Sequence, residues 1–349
     1  MKTSFISSLA MSQTLRYQVM RMQVELAQRT KESQTGTVAD VGVALGGHAG
    51  RNLSMNRDIE RLGGLIDSNS LAASRLKATQ DAMSQINDIG QSLLAVLTAP
   101  SSSVDQIAIT RSEAERVLKS MTGILNTSMN GEYLFAGINT DVKPVTDFSD
   151  PASPAKIAFD AAFMAKFGFP QSDPAAAGIS AADMEDFLTN YVEPQFLGAG
   201  WQTNWSSASD QKITTRIAMN ETAETSITAN EQGLRKLAMA ASTISELLSG
   251  PLSDATRGVL YARVMTMVGE ATADIANAQA RAGIVENRIE DASARTSSQI
   301  DLFKNLIKDS EGIDPYEAAT RVNDLLAQLD ASYALTARLQ QLSLLNYLR

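Results

Sequence analysis

Residues 264–306 read VMTMVGEATADIANAQARAGIVENRIEDASARTSSQIDLFKNL. Within them Val264, Val268, Ala271, Ile275, Ala278, Ala282, Val285, Ile289 and Ala292 stand at alternating steps of four and three. The comb continues through Thr296 and Gln299 to Phe303 and Leu306. That spacing lays one stripe along an α-helix and forms the seam of a coiled coil. A single helix over 260–308 would be about 73 Å long at ~1.5 Å per residue. A compact globule of this chain length is only about 50 Å across. The stretch therefore predicts an elongated body of long helices.

Three further combs accompany it. One runs through Leu62, Ile66, Ala73, Leu76, Met83, Leu94 and Leu97. A second runs through Ile107, Thr110, Ala114, Val117, Met121, Ile124 and Ser128, and a third through Leu237, Ala241, Ile244 and Leu248. Breakers fall between them at Ala99-Pro100-Ser101, Asn130-Gly131 and Gly250-Pro251, where helices should stop. Stripes at this spacing are the core faces of a helix bundle, and none needs a cofactor to explain it.

Composition agrees. Of 349 residues, 44% are hydrophobic but only 5% aromatic, so the core is built from Ala, Leu, Ile, Val and Met and suits helix-on-helix packing. With no Cys there is no disulfide framework, thiolate metal site or Cys nucleophile. With one His, His48, there is no His-pair zinc site. A net charge of −9 lacks the basic face of a dedicated nucleic-acid binder. No apolar run approaches the roughly 18–20 residues of a membrane span, so membrane insertion is not expected.

Prolines and charge set one segment apart. Six of the nine prolines lie between Pro144 and Pro194, and Trp201 and Trp205 follow directly. Residues 141–232 hold 13 acidic and 5 basic side chains, so they carry −8 of the chain's −9. The segment reads as an insert into a nearly neutral helical body. Within it 183–188 looks helical and 211–219 alternates like a strand, so a mixed α/β fold is expected there. The overall expectation is a mainly α protein: an elongated helical bundle or coiled-coil rod built from both chain ends, with a short β-hairpin region and a small mixed α/β insert domain. The expected division is a terminal coiled-coil domain of 1–40 with 318–349, a helical rod of 41–140 with 233–317, and an outward-facing insert of 141–232.

Both ends are apolar where chain ends are usually polar. Leu15, Val19, Met22 and Leu26 form a stripe near the N-terminus. Leu335, Leu339 and Leu342, followed by Leu344, Leu345 and Leu348, form one near the C-terminus. Pairing the two ends would bury part of this surface, and other copies of the chain would bury the rest. Leu15, Val19, Met22, Leu26, Leu335, Leu339, Leu342 and Leu345 are therefore the candidate assembly residues.

Catalytic constellations are not evident. Gly36, Gly42, Gly46, Gly47 and Gly50 crowd around His48 without the Gly-Lys-Ser/Thr ending of a phosphate loop. Val41, Val43 and Leu45 alternate there and suggest a short extended connection. Glu113, Glu115, Glu286, Glu290 and Asp291 stand beside Arg and Lys on helices, as solvated faces with i,i+4 pairs. No cofactor, metal or enzymatic role is expected.

Three strings carry a family resemblance. Gly131-Glu132-Tyr133-Leu134-Phe135-Ala136-Gly137 resembles the segment after the second core helix of the flagellin superfamily. Arg281 through Glu290, with Asn287-Arg288 at its centre, resembles the C-terminal rod helix of that family. Ser332-Tyr333-Ala334-Leu335 and Gln341 through Leu348 resemble its terminal helix. Gly131, Tyr133, Phe135, Gly137, Asn287 and Arg288 are the motif positions. Residues 33–42, Ser-Gln-Thr-Gly-Thr-Val-Ala-Asp-Val-Gly, depart from the Ser-Ser-Gly tract of flagellins and look more like the hook-associated branch at the hook–filament junction. Arg349 at the end and Asn204-Trp205-Ser206-Ser207-Ala208-Ser209-Asp210 are flagellin-like, so flagellin itself stays open.

The resemblance implies a secreted structural subunit of the bacterial flagellum, exported without a cleaved signal. Its implied partners are copies of itself in a helical ring, another hook-associated protein on the hook side, flagellin on the filament side and an export chaperone. Two other readings stand beside it: a coiled-coil adaptor inside the cell, and an enzyme with its site in the insert around Trp201, Trp205, Asp183, Glu185 and Asp186.

Overall fold

The computed structural model describes residues 8–99 and 103–347. In chain order its elements are α1 (Ser8–Thr35), α2 (Val41–Leu45), α3 (Ala49–Leu97), α4 (Val104–Leu125), β1 (Ser128–Met129), β2 (Glu132–Tyr133), α5 (Pro154–Phe167), α6 (Ala181–Phe187), α7 (Glu193–Phe196), β3 (Thr214–Ala218), β4 (Glu221–Glu224), α8 (Gln232–Leu247), α9 (Asp254–Glu311) and α10 (Pro315–Tyr347). Long helices pack in a bundle, with two small antiparallel hairpins, β1–β2 and β3–β4. Each comb in the sequence is met by a helix: α3, α4, α8 and α9. The chain forms two compact units, 1–63 with 297–349, and 64–296.

The 64–296 unit holds most of the core. Its stretches of α3 and α9 run antiparallel. Asn69 Nδ2 donates to Ser293 Oγ at 3.0 Å, and Gln80 Nε2 donates to Glu286 at 2.9 Å. Asn69 is fully buried and also donates to the Ile217 carbonyl on β3 at 2.9 Å. A buried amide bonded to two elements fixes their register, because a slip would strand it unpaired. The helix α8 is buried almost all round, its core face joined by Ala238, Ala240, Ala241, Ser242 and Thr243. Small side chains let neighbours approach on every side. Lys236, also on α8, bonds Glu270 at 2.9 Å and Asp274 at 3.0 Å on α9.

Segment 141–232 belongs to this same unit. It does have the expected α/β mixture, with α6 over the helical stretch and β3 within the alternating one. Its aromatics form one buried cluster. Trp201 and Trp205 stack at 5.4 Å, Phe148 stacks on Trp205 at 5.0 Å, and Phe159, Phe163 and Phe187 meet edge to face. Offset and edge-on pairs of this kind add to area burial. The cluster abuts the bundle: Trp201 and Trp205 share one small cavity with Leu118, Met121 and Leu125 of α4 and Ala238 of α8. The low aromatic content is thus concentrated here, as a common core between segment and helices.

The stretch 128–138 stitches the two together. Asn130 and Gly131 have φ of 54° and 85°, the two-residue turn that hairpins favour. It pairs Ser128 with Tyr133 and Met129 with Glu132. Beyond it, Phe135 and Ala136 are fully buried. Their carbonyls accept from Ala229 N at 2.8 Å and Ser209 N at 2.9 Å.

One local expectation is corrected. Val41–Leu45 is a short helix, not an extended connection. Asp40 Oδ1 accepts from Val43 N at 3.0 Å, so an N-cap outweighs an alternation only five residues long. His48 follows in a single 3-10 turn and is exposed.

Candidate functional site

The unit of 1–63 with 297–349 is built around α1 packed on α10. The two run antiparallel. Gln23 Nε2 donates to the Tyr333 hydroxyl at 2.7 Å, and Thr37 bridges to Gly312 at the other end. Two backbone bonds lock that end: Val38 N donates to Glu311 O at 2.9 Å, and Ile313 N donates to Gly36 O at 3.1 Å. Glu32, nearly buried, accepts from Arg29 at 2.8 Å and from Ala39 N at 3.1 Å. Asn52 on α3 donates to Glu311 at 3.0 Å. The chain ends are therefore joined by specific contacts at one end of the pair and by an apolar stripe along it.

Leu15, Val19, Met22 and Leu26 are half-buried on α1. They form the stripe toward α10, where Ala318, Leu325 and Leu329 are buried. Leu335 lies elsewhere: it is 54% exposed, and the α10 seam passes through Val322, Leu325, Leu329, Ser332 and Thr336 instead. The expected C-terminal stripe thus starts off the seam. The side chains of Leu339, Leu342 and Leu345 lie outside the described residues.

A second apolar stripe occupies α1. Tyr17, Met20 and Val24 are exposed at about 60% each. At ~100° per residue they lie on the side of the helix opposite Leu15, Val19, Met22 and Leu26. On α10, Leu326 and Leu335 are also uncovered. Sequence reading missed this second stripe, although its 3–4 spacing is the same signal offset by two residues. Contiguous exposed apolar surface marks a place where another molecule packs.

The motif residues divide into structural and exposed positions. Phe135 is fully buried, and Gly137 has φ of 65°. Gly131 is the hairpin turn, and Tyr133 N donates to Thr140 O at 2.8 Å. Asn287 is exposed, and Arg288 donates to Glu221 at 2.9 Å beside Arg295 at 3.3 Å. That pair of arginines ties the β3–β4 hairpin to α9.

The carboxylates near the tryptophans do not converge on a reaction centre. Asp186 bonds Lys166 at 2.5 Å and Asn190 at 2.7 Å, which holds its carboxyl below the usual range. Asp183 accepts from the Ser180 cap, and Glu185 faces Arg263 at 3.8 Å. Trp201 Nε1 is engaged by Asn230 at 2.8 Å. Glu113 and Glu115 pair with Arg116 and Arg111. Among the described residues no cluster of His or carboxylates is grouped to hold a metal, and no helix is long and apolar enough to cross a membrane.

The family model for the bacterial flagellin N-terminal helical region matches residues 6–140. The model for the bacterial flagellin C-terminal helical region matches residues 265–348. Together they cover α1, α3, α4, α10 and most of α9, and leave residues 141–264, with α8 among them, between the two matches. No curated protein matches the chain. Among solved structures, a candidate flagellar hook-associated protein from Vibrio parahaemolyticus is similar in fold, with a TM-score of 0.52 over 76% of this chain and 97% of the other. Sequence identity between the two is 11%, so that likeness concerns the fold.

Proposed function

Because this chain belongs to the flagellin family of structural flagellar proteins, we propose that it is the adaptor subunit at the hook–filament junction. The observation that carries the assembly half of this reading is the α1–α10 pair. The first and last described helices meet there, and Tyr17, Met20, Val24, Leu326 and Leu335 remain uncovered around the pair. A two-helix pair that exposes apolar side chains on its outer faces is stabilised by further helices from other copies. Contacts repeated head to tail without closing generate a helical array.

The junction position is supported by residues 33–42, which lack the flagellin Ser-Ser-Gly tract. In this reading the chain leaves the cell by the flagellar export channel with the help of a chaperone. It then forms a helical ring of its own copies, against another hook-associated protein on one side and flagellin on the other. Its work is mechanical, matching a bendable hook to a stiffer filament. A second reading, flagellin itself, is favoured by the Asn204–Asp210 string.

Removal of residues 330–349 tests the assembly claim. The truncated chain is expected to be exported or expressed but absent from sheared flagella. Normal incorporation of the truncated chain would contradict it.

A further inference from the structure

The helices α3 and α9, of 49 and 58 residues, each belong in part to both compact units. Two asparagine rungs tie them. Asn52 Nδ2 donates to Ser310 Oγ at 3.4 Å in one unit, and Asn69 Nδ2 donates to Ser293 Oγ at 3.0 Å in the other. The rungs stand 17 residues apart on each helix, 52 to 69 and 293 to 310. Equal rise along two antiparallel helices therefore sets Gly63 and Gly64 level with Gln299 and Ser298.

Both helices are weak at this level. Glycine is the poorest helix former after proline, and two stand here in succession. Packing does not require them, since a Cβ added at either would meet nothing within 4 Å. On α9, Thr296, Ser297 and Ser298 follow one another. Thr296 Oγ1 turns back to the Ala292 carbonyl at 2.7 Å, a bond that favours helix bending. The hydrophobic core reaches Ala72 on α3 and Ala292 on α9, and apolar burial resumes at Leu62 and Ile300. Across 63–69 and 293–299 the buried side chains are Asn69 and Thr296, both polar. Asn69 Oδ1 is buried there without a hydrogen-bond partner. Gly258, Gly269 and Gly283 of α9 also have open space, but each stands singly beside core residues such as Leu260, Val268 and Ala282.

Sharp helix bends fall at glycine and serine pairs, and segments with few apolar contacts open most easily. We propose that 63–69 of α3 and 293–299 of α9 form one paired bend point. Both helices yield there together, so the 64–296 unit re-orients while α1 stays packed on α10. At a joint between a bendable and a stiffer structure, such a point makes each subunit compliant. That use of the bend rests on the junction reading above; the bend itself does not.

The chain has no cysteine, so spin labels attach only where cysteines are introduced. Ser54→Cys with Ser84→Cys brackets the interval on α3, and Ser74→Cys with Ser92→Cys lies wholly beyond it. All four serines are exposed. On an unbroken helix positions 54 and 84 are about 45 Å apart. Pulsed electron paramagnetic resonance on the purified full chain reads the distance distribution of each pair. The 54/84 distribution is expected to be about twofold or more wider than the 74/92 one. It should narrow to the 74/92 width when Gly63→Ala and Gly64→Ala are added, which nothing opposes sterically. A 54/84 distribution already as narrow as 74/92 would overturn the bend point. One that stays wide with both alanines present would also overturn it, because the glycines would not set the bend. The measurement needs no flagellum, so loss of the junction reading would leave its result standing.

Discussion

Gly137→Ala and Gly131→Ala separate backbone strain from steric overlap within a few residues of one another. Both glycines have positive φ, 65° and 85°. An alanine in that region loses roughly 1 kcal/mol relative to glycine. At Gly131 nothing lies within 4 Å of the added Cβ, so strain is the whole effect. At Gly137 the added Cβ would stand 2.5 Å from the Ser209 carbonyl oxygen and 2.6 Å from that of Gln211. Relief requires the 209–211 backbone to draw back. That movement stretches two bonds, Ser209 N to Ala136 O at 2.9 Å and Ile138 N to Gln211 O at 3.1 Å. At about 1 kcal/mol net for each bond, the expected loss is about 3 kcal/mol for Gly137→Ala, against about 1 for Gly131→Ala. For a unit of this size ~1 kcal/mol corresponds to roughly 2–4 °C in Tm. Both tryptophans lie in the 64–296 unit, so their fluorescence during thermal or urea unfolding reports its transition. Equal shifts for the two variants would refute the claim that 134–138 is pinned against 209–211.

Other outcomes follow from the same contacts. Met20→Glu and Val24→Glu place charge on the outer stripe of α1. They are expected to leave circular dichroism and Tm of the free chain unchanged while removing it from sheared flagella, and an unaltered yield in flagella would speak against that face. Trp205→Ala empties a stack against Phe148, Phe196 and Trp201 and is expected to destabilise by about 3–5 kcal/mol. Because segment and helices share this core, near-ultraviolet and far-ultraviolet signals should shift to lower denaturant together, whereas two separated transitions would mean an independent insert. Lys236 is pushed above its ordinary range by its hydrogen bond to Glu270, against burial, and Lys156 is pushed up by its bonds to Asp160 and Glu246, which outweigh the opposing effect of burial. A lysine with a raised folded-state pKa contributes fully below its ordinary value and loses that contribution as pH rises through the raised one. Denaturation profiles should therefore show no lysine-dependent loss up to about pH 10 and falling stability above it, with the fall reduced in Lys236→Met; a fall that persists unchanged in that variant would remove Lys236 from the account.

The long helices were legible because their signal is repeated many times. A 4-3 comb over forty residues leaves no competing period, and Asn130-Gly131 marks a turn that demands positive φ. Short signals fared worse. Val41–Leu45 alternates for five residues, and a single Asp40 cap is enough to make it helical. Sequence spacing groups Leu335 with Leu339 and Leu342, yet the seam of α10 is set by Leu325 and Leu329. Hydrophobicity says that a residue will be covered but not by which neighbour. Tyr17, Met20 and Val24 are hard to read for the same reason, since one stripe on a helix already accounts for one partner. Composition marked 141–232 as chemically distinct, and its charge and prolines are surface properties. Where its aromatics pack, against Leu118, Met121 and Leu125, is a long-range fact that no local pattern carries.

The most direct test of the central claim is immunogold labelling of intact and sheared flagella with antibody raised against residues 141–232. A junction adaptor predicts gold confined to a narrow band beside the hook. Gold along the whole filament would contradict the junction position and identify the filament subunit. Gold found only inside the cell would contradict a role in the flagellum's external structure altogether.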